Sequence, residues 1–179
     1  MSRDAPRTVS RRHLFRALLG REAPAEAEPA RQPDAARHAA GDAAYEAGDF
    51  PAAVAAYRAS VRGDLSNPSA RARLGYALYA TGQFIQARVE FEHVLRLDDA
   101  DVAFARLGLG LTLLALDKRE RAASVLAAFE DPSRPELAAV ARDVAARLSA
   151  PEAADPAELR CGLELAARAT ALVPDHDPA

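Results

Sequence analysis

Tryptophan is absent from the 179 residues, Met1 is the only methionine, Cys161 the only cysteine and Lys118 the only lysine. One cysteine excludes an intrachain disulfide framework and any metal site built from several thiolates; Cys161 falls in a helical pattern and reads as a small apolar packing residue. The longest apolar run, Leu107 to Leu116, falls far short of the roughly 20 residues that a membrane-spanning helix needs. The four histidines, His13, His38, His93 and His176, are scattered. No glycine-rich phosphate loop, serine-centred elbow or metal-ligand spacing accompanies them. The sequence therefore predicts no enzyme, no catalytic residue, no cofactor, no metal and no small-molecule substrate. His38 and Asp42 stand four apart on one helix face, a spacing open to an acid-base or metal role and, far more commonly, to an ordinary structural pair or a groove lining.

The charge is unevenly placed. Residues 1 to 21 hold six arginines against one aspartate, a net of +5, so with −3 overall the remainder carries −8. A body this acidic argues against nucleic-acid binding, which needs a clustered basic face.

Alanine is abundant, which favours helix over sheet. Three in-phase copies of one pattern recur at offsets of 34 and 35 residues. The best copy has Arg71, Leu74-Gly75, Leu78, a turn at Gly82-Gln83-Phe84, then Ala87 and Phe91. Upstream stand Arg37, Ala40-Gly41, Ala44, Gly48-Asp49-Phe50, Ala53 and Tyr57; downstream stand Arg106, Leu109-Gly110, Leu113, Asp117, Ala122 and Leu126. Apolar positions three and four apart, a short turn and a second such run predict a helical hairpin, and repetition at this period predicts a stacked array. A glycine inside a helix costs about 1 kcal/mol relative to alanine, so Gly41, Gly75 and Gly110 imply close helix contact. Ala53, Ala87 and Ala122 would permit that approach, with Tyr57, Phe91 and Leu126 filling the gap to the next repeat. One hairpin cannot bury such a face alone.

These residues resemble the tetratricopeptide repeat family over Ala35 to Phe129, with arginines at 37, 71 and 106 where that family has tryptophan and Asp117 where its third turn would have glycine. The resemblance implies an all-α fold, a right-handed superhelical solenoid of antiparallel helix pairs with three repeats and a degenerate fourth. Glu136 to Leu148 is the first helix of that fourth copy, and Asp155-Pro156-Ala157-Glu158 reads as cap, first-turn proline and first-turn acid for a last helix over 156–172. The first helix of repeat three, apolar nearly all round, predicts burial on most sides.

Residues 1–34 form a basic arm and an Ala/Glu/Pro-rich, disordered linker, and 35–179 the repeat domain. Ser10-Arg11-Arg12-His13-Leu14-Phe15-Arg16-Ala17-Leu18-Leu19 is similar to a twin-arginine export motif, but only Ala17 to Leu19 intervene before Gly20-Arg21-Glu22, short of the 7 to 15 apolar residues of a secretory signal. The chain is thus expected in the cytoplasm, and in the periplasm only if this arm acts as a signal. Three readings of the arm stay open: a solvated tail, a helix docking through Leu14, Phe15, Leu18 and Leu19, or weak attachment to an anionic membrane surface.

The resemblance also implies a site. First helices of such repeats line a concave groove for a partner peptide or helix, and by register its lining here is His38, Asp42 and Tyr45, then Tyr76 and Tyr79, then Phe104. The competing reading of the tyrosines is plain core packing. The function expected is a protein-interaction module, an adaptor, scaffold or assembly factor; the alternative is a membrane-surface or envelope accessory protein tethered by Arg11, Arg12, Leu14, Phe15, Arg16 and Leu18.

Overall fold

The computed structural model describes residues 34–63, 67–97, 102–150 and 154–174. The arm, including Arg11, Arg12, Leu14, Phe15, Arg16 and Leu18, lies outside the described residues. Among those described there are eight α-helices and no strand: α1 (Asp34–Glu46), α2 (Phe50–Gly63), α3 (Pro68–Ala80), α4 (Phe84–Val94), α5 (Val102–Ala115), α6 (Arg119–Ala127), α7 (Pro135–Ser149) and α8 (Pro156–Ala169). The first three hairpins fall where the 34- and 35-residue pattern predicts them, and every helix from α1 to α8 packs on the next in sequence.

Three turns share one backbone solution. Gly48 and Gly82 take φ of 74° and 73°, and Asp117, which replaces glycine in the third turn, takes 53°. The left-handed residue lets the following amide reach back into the helix: Asp49 donates to the Ala44 carbonyl (2.9 Å), Gln83 to Leu78 (2.8 Å) and Lys118 to Leu113 (2.8 Å). Aspartate tolerates this conformation better than most residues because its short polar side chain suits it. At the other helix ends, Asn67 caps α3 by accepting from the Ala70 amide (3.0 Å), and Asp155 caps α8 by accepting from Ala157 (2.9 Å), each ahead of a proline in the first turn.

The helical glycines are contact points. A Cβ on Gly41 would lie 2.6 Å from the Tyr57 ring, on Gly75 2.9 Å from Phe91, and on Gly110 2.4 Å from Leu126. In each case the large residue of the second helix lies on the glycine of its own first helix. Phe91 also spans to the next hairpin, where a Cβ on Gly108 would stand 2.2 Å from its ring. Gly108 has no counterpart in the other repeats, whose register puts Ala39 and Arg73 there. Two arginines at the repeat-start position tie their hairpins together: the buried Arg71 reaches Glu90 of α4 (2.8 Å), and Arg106 donates to the Ala128 carbonyl at the end of α6 (2.7 Å).

The expected burial of α5 holds, and the structure gives its cause. Ala105 and all of Leu107–Leu114 are buried, because α5 packs against α3, α4, α6 and α8. The Thr112 hydroxyl, also buried, donates to the Gly108 carbonyl one turn back (2.7 Å). Cys161 departs from expectation: it lies exposed on α8 rather than packed.

Phe91 is fully buried, so its ring has nowhere to move. Gly108→Ala is expected to lower unfolding stability by about 1–3 kcal/mol through overpacking. In a double-mutant cycle with Phe91→Leu, the two losses should be less than additive by at least about 1 kcal/mol in urea unfolding, since both act on one contact. Simple additivity would show that Gly108 is not held by that ring.

Candidate functional site

The residues that register assigns to the groove do come together, on the face shared by α1, α3 and α5. Tyr76 on α3 stands at its middle, with ring centroids 5.8 Å from Tyr45, 5.9 Å from Phe50, 5.9 Å from Phe104 and 6.0 Å from Tyr79. Such tilted and edge-on contacts are the favourable geometries for aromatic pairs. The expectation of an open tyrosine face is corrected here. Tyr45, Tyr76 and Tyr79 are 7%, 1% and 5% exposed, so they are core, whereas Phe104, His38 and Asp42 are half-buried.

What covers Tyr76 and Tyr79 is α8. It packs on α5 and α7 and reaches α3 with polar side chains: the Tyr79 hydroxyl donates to Glu164, and Arg160 donates to both the Tyr79 hydroxyl (3.1 Å) and Glu164 (3.0 Å). Arg168, 3.6 Å from Glu164, acts on the Tyr76 hydroxyl. The end of α8 is pinned by Arg134, whose Nε donates to the Thr170 carbonyl (3.0 Å) while Nη1 pairs with Asp131 (2.9 Å). The Ser133 hydroxyl, outweighing the opposite effect of burial, and then Arg134 hold the Asp131 carboxyl below the usual aspartate range.

The His38–Asp42 pair is part of a structural junction. Asp42 Oδ1 accepts from the Tyr57 hydroxyl (2.6 Å) and from Arg73 Nη1 (2.6 Å), which joins α1, α2 and α3 through one carboxylate. His38 Nε2 is 3.7 Å away on the other oxygen, and its ring meets Tyr57 edge-on at 6.0 Å. Arg73 also lies 5.8 Å above the Tyr45 ring, a cation–π distance. The carboxylate that Arg73 holds is thus one of the repeats' own.

Beside α8 the same face stays open. A cleft of about 450 Å³ is bounded by Tyr45 and Glu46 of α1, Ser69, Ala72 and Arg73 of α3, and Phe104 of α5, and closed by Asp131, Arg134 and Leu172. The Tyr45 hydroxyl is buried and has no hydrogen-bond partner among the described residues. Its floor is aromatic, and its rim carries arginines and carboxylates together. Among the described residues no three histidine, cysteine or acidic side chains are grouped to hold a metal, and no helix is long and apolar enough to cross a membrane.

All four tyrosines of the chain sit in this region, and burial, ahead of any neighbour, raises the pKa of each above the usual 10. The folded state thus keeps four protons that the unfolded chain gives up, so this contribution to stability is complete below about pH 10 and falls as pH rises past it. Each site can remove at most about 1.4 kcal/mol per pH unit. Phenolate absorbance should therefore stay silent through pH 10 and then rise in one step together with loss of helical circular dichroism. A tyrosine ionising near pH 10 with the helices intact would contradict its burial.

Set against known protein families and against curated proteins, the chain matches none.

Proposed function

We propose that this chain is a non-enzymatic interaction module of tetratricopeptide type, its helix pairs stacked as a right-handed superhelix, that holds a peptide or helix of a partner protein against the face of α1, α3 and α5. The cleft beside Tyr45, Arg73 and Phe104 is the observation that carries this reading. Tyrosine and arginine are the residue types over-represented among binding hot spots, and here they are held rigidly by the aromatic cluster and the Asp42 junction. The three in-phase hairpins support the same reading, because such arrays use extended faces for recognition.

The tyrosines beneath α8 are poor probes of it, since alanine at Tyr76 or Tyr79 would leave a cavity in the core costing about 3–5 kcal/mol. Ser69→Trp fills the cleft from a half-buried position, and Arg73→Ala removes one of its two arginines. A quantitative pull-down from native cells should recover a specific partner with the intact chain and at least tenfold less with Ser69→Trp, at unchanged circular dichroism, with Arg73→Ala falling between. Equal recovery by all three chains would take the partner away from this cleft.

A further inference from the structure

Five described glycines lie inside helices. Four of them are pressed by a ring or a leucine; Gly162, in the middle of α8, has nothing within 4 Å of where its Cβ would be. It therefore weakens its helix, by about fivefold in the helix-forming equilibrium relative to alanine, with no packing gained in return. The seam that holds α8 is imperfect as well. Its apolar stripe is short, Leu159, Leu163 and Ala167 at four-residue spacing, all buried. The next row, Arg160, Glu164 and Arg168, meets Tyr79 and Tyr76, and Arg168 Nε is left buried without a hydrogen-bond partner. On its far side α8 presents Leu165, 66% exposed, and Cys161.

The surface underneath is the opposite. Helix α5 is apolar nearly all round, Arg106 and the buried Thr112 apart, and Tyr79 of α3 turns its hydroxyl toward the helix above. This is a helix-binding surface, and the helix on it holds by three buried apolar side chains around a mid-helix glycine that packs on none of the described residues. We propose that α8 is a displaceable occupant, and that the face over Tyr76 and Tyr79 takes in its place an amphipathic helix of the partner protein. That helix carries leucine at two positions four apart and a small residue four further on. An acidic side chain one place after the second leucine accepts the Tyr79 hydroxyl. The inference rests on the reading that this face binds a partner, and it adds what the partner's segment looks like and what must leave first. Partner affinity is then reduced by the fraction of chains in which α8 is seated.

The test uses the full chain. Hydrogen exchange should show α8 amides opening as a block at least tenfold faster than those of α5, and Gly162→Ala, which meets no atom, should slow α8 about fivefold while leaving α5 unchanged. A fluorescein-labelled peptide of residues 154–174 is the probe for the vacated face. It should bind the chain in trans, about fivefold more weakly to Gly162→Ala and more tightly to chains whose own α8 is loosened by Leu163→Ala. The same peptide bearing Glu164→Ala should bind at least fivefold more weakly. If Leu163→Ala does not fold, Glu164→Ala in the full chain supplies the loosened α8. Exchange of α8 and α5 at one common rate in both chains, or no peptide binding to a folded, loosened chain, would make α8 a fixed cap and overturn the proposal. Dimers formed by exchanging α8 would assign the face to a second copy and overturn it too. No residue of α8 itself lines the cleft that Ser69→Trp fills, and α8 exchange measured in that variant shows whether the helix is disturbed; with it undisturbed, a partner lost there with α8 fixed sinks this inference alone, and peptide binding without any effect of Ser69→Trp sinks only the cleft.

Discussion

Everything described here depends on how closely the backbones of α3, α4 and α5 approach around Phe91. Gly75 on one side and Gly108 on the other leave no room for even a methyl group against its ring. Interiors packed to that density respond to single carbon atoms, so the spacing of the helices is fixed by a glycine pair and one aromatic rather than by the sum of many soft contacts. Tyr57 on Gly41 and Leu126 on Gly110 set the same spacing in the flanking hairpins. With the second helices held this near, the first helices line up side by side, and the larger rings of Tyr45, Tyr76 and Phe104 meet along their shared face.

That alignment creates an electrostatic problem as well as a surface. Tyrosine hydroxyls in a face this buried need partners, and Tyr57 and Tyr79 find different ones. Tyr57 donates a hydrogen bond to Asp42, which Arg73 neutralises; Tyr79 donates one to Glu164, which Arg160 and Arg168 neutralise. The first pair comes from the repeat helices themselves, whereas the second requires α8. Tyr45 has neither, and it borders the cleft. The face is thus satisfied at one end from within, at the other by a borrowed helix, and left open between.

Much of this fold is written locally. The cap at Asp155, the left-handed turns at Gly48, Gly82 and Asp117, and the pairing of the repeat glycines with close helix contact all follow from short-range geometry, and all can be read from spacing. Gly108 escapes because it answers to the next repeat's neighbour and not to the repeat register. The position of α8 escapes for a related reason: its Leu159, Leu163, Ala167 stripe tells that one side is buried but not against what. A signal existed in α5, whose nearly all-round apolar surface calls for a fourth neighbour that three hairpins do not supply. Cys161 also carried one, since it sits two residues from Leu159, about 200° around the helix and hence on the side away from the stripe. The burial of Tyr76 and Tyr79 had no local signal, because it depends on a helix some 80 residues away in the chain.

Occupation by α8 also bears on why tyrosine, rather than phenylalanine, stands at 76 and 79. A ring buried for packing alone gains nothing from a hydroxyl, whose desolvation has to be offset by a partner. On this face the hydroxyls make the surface selective: a helix that lacks an acidic residue opposite Tyr79 leaves a buried donor unpaired, a loss of about 1–3 kcal/mol, whereas one that has it gains a charge-assisted hydrogen bond. Leucine spacing alone would admit almost any amphipathic helix. On the proposed reading, the phenols narrow that choice to segments built like α8, and the chain's own copy sets the affinity that a partner helix must exceed.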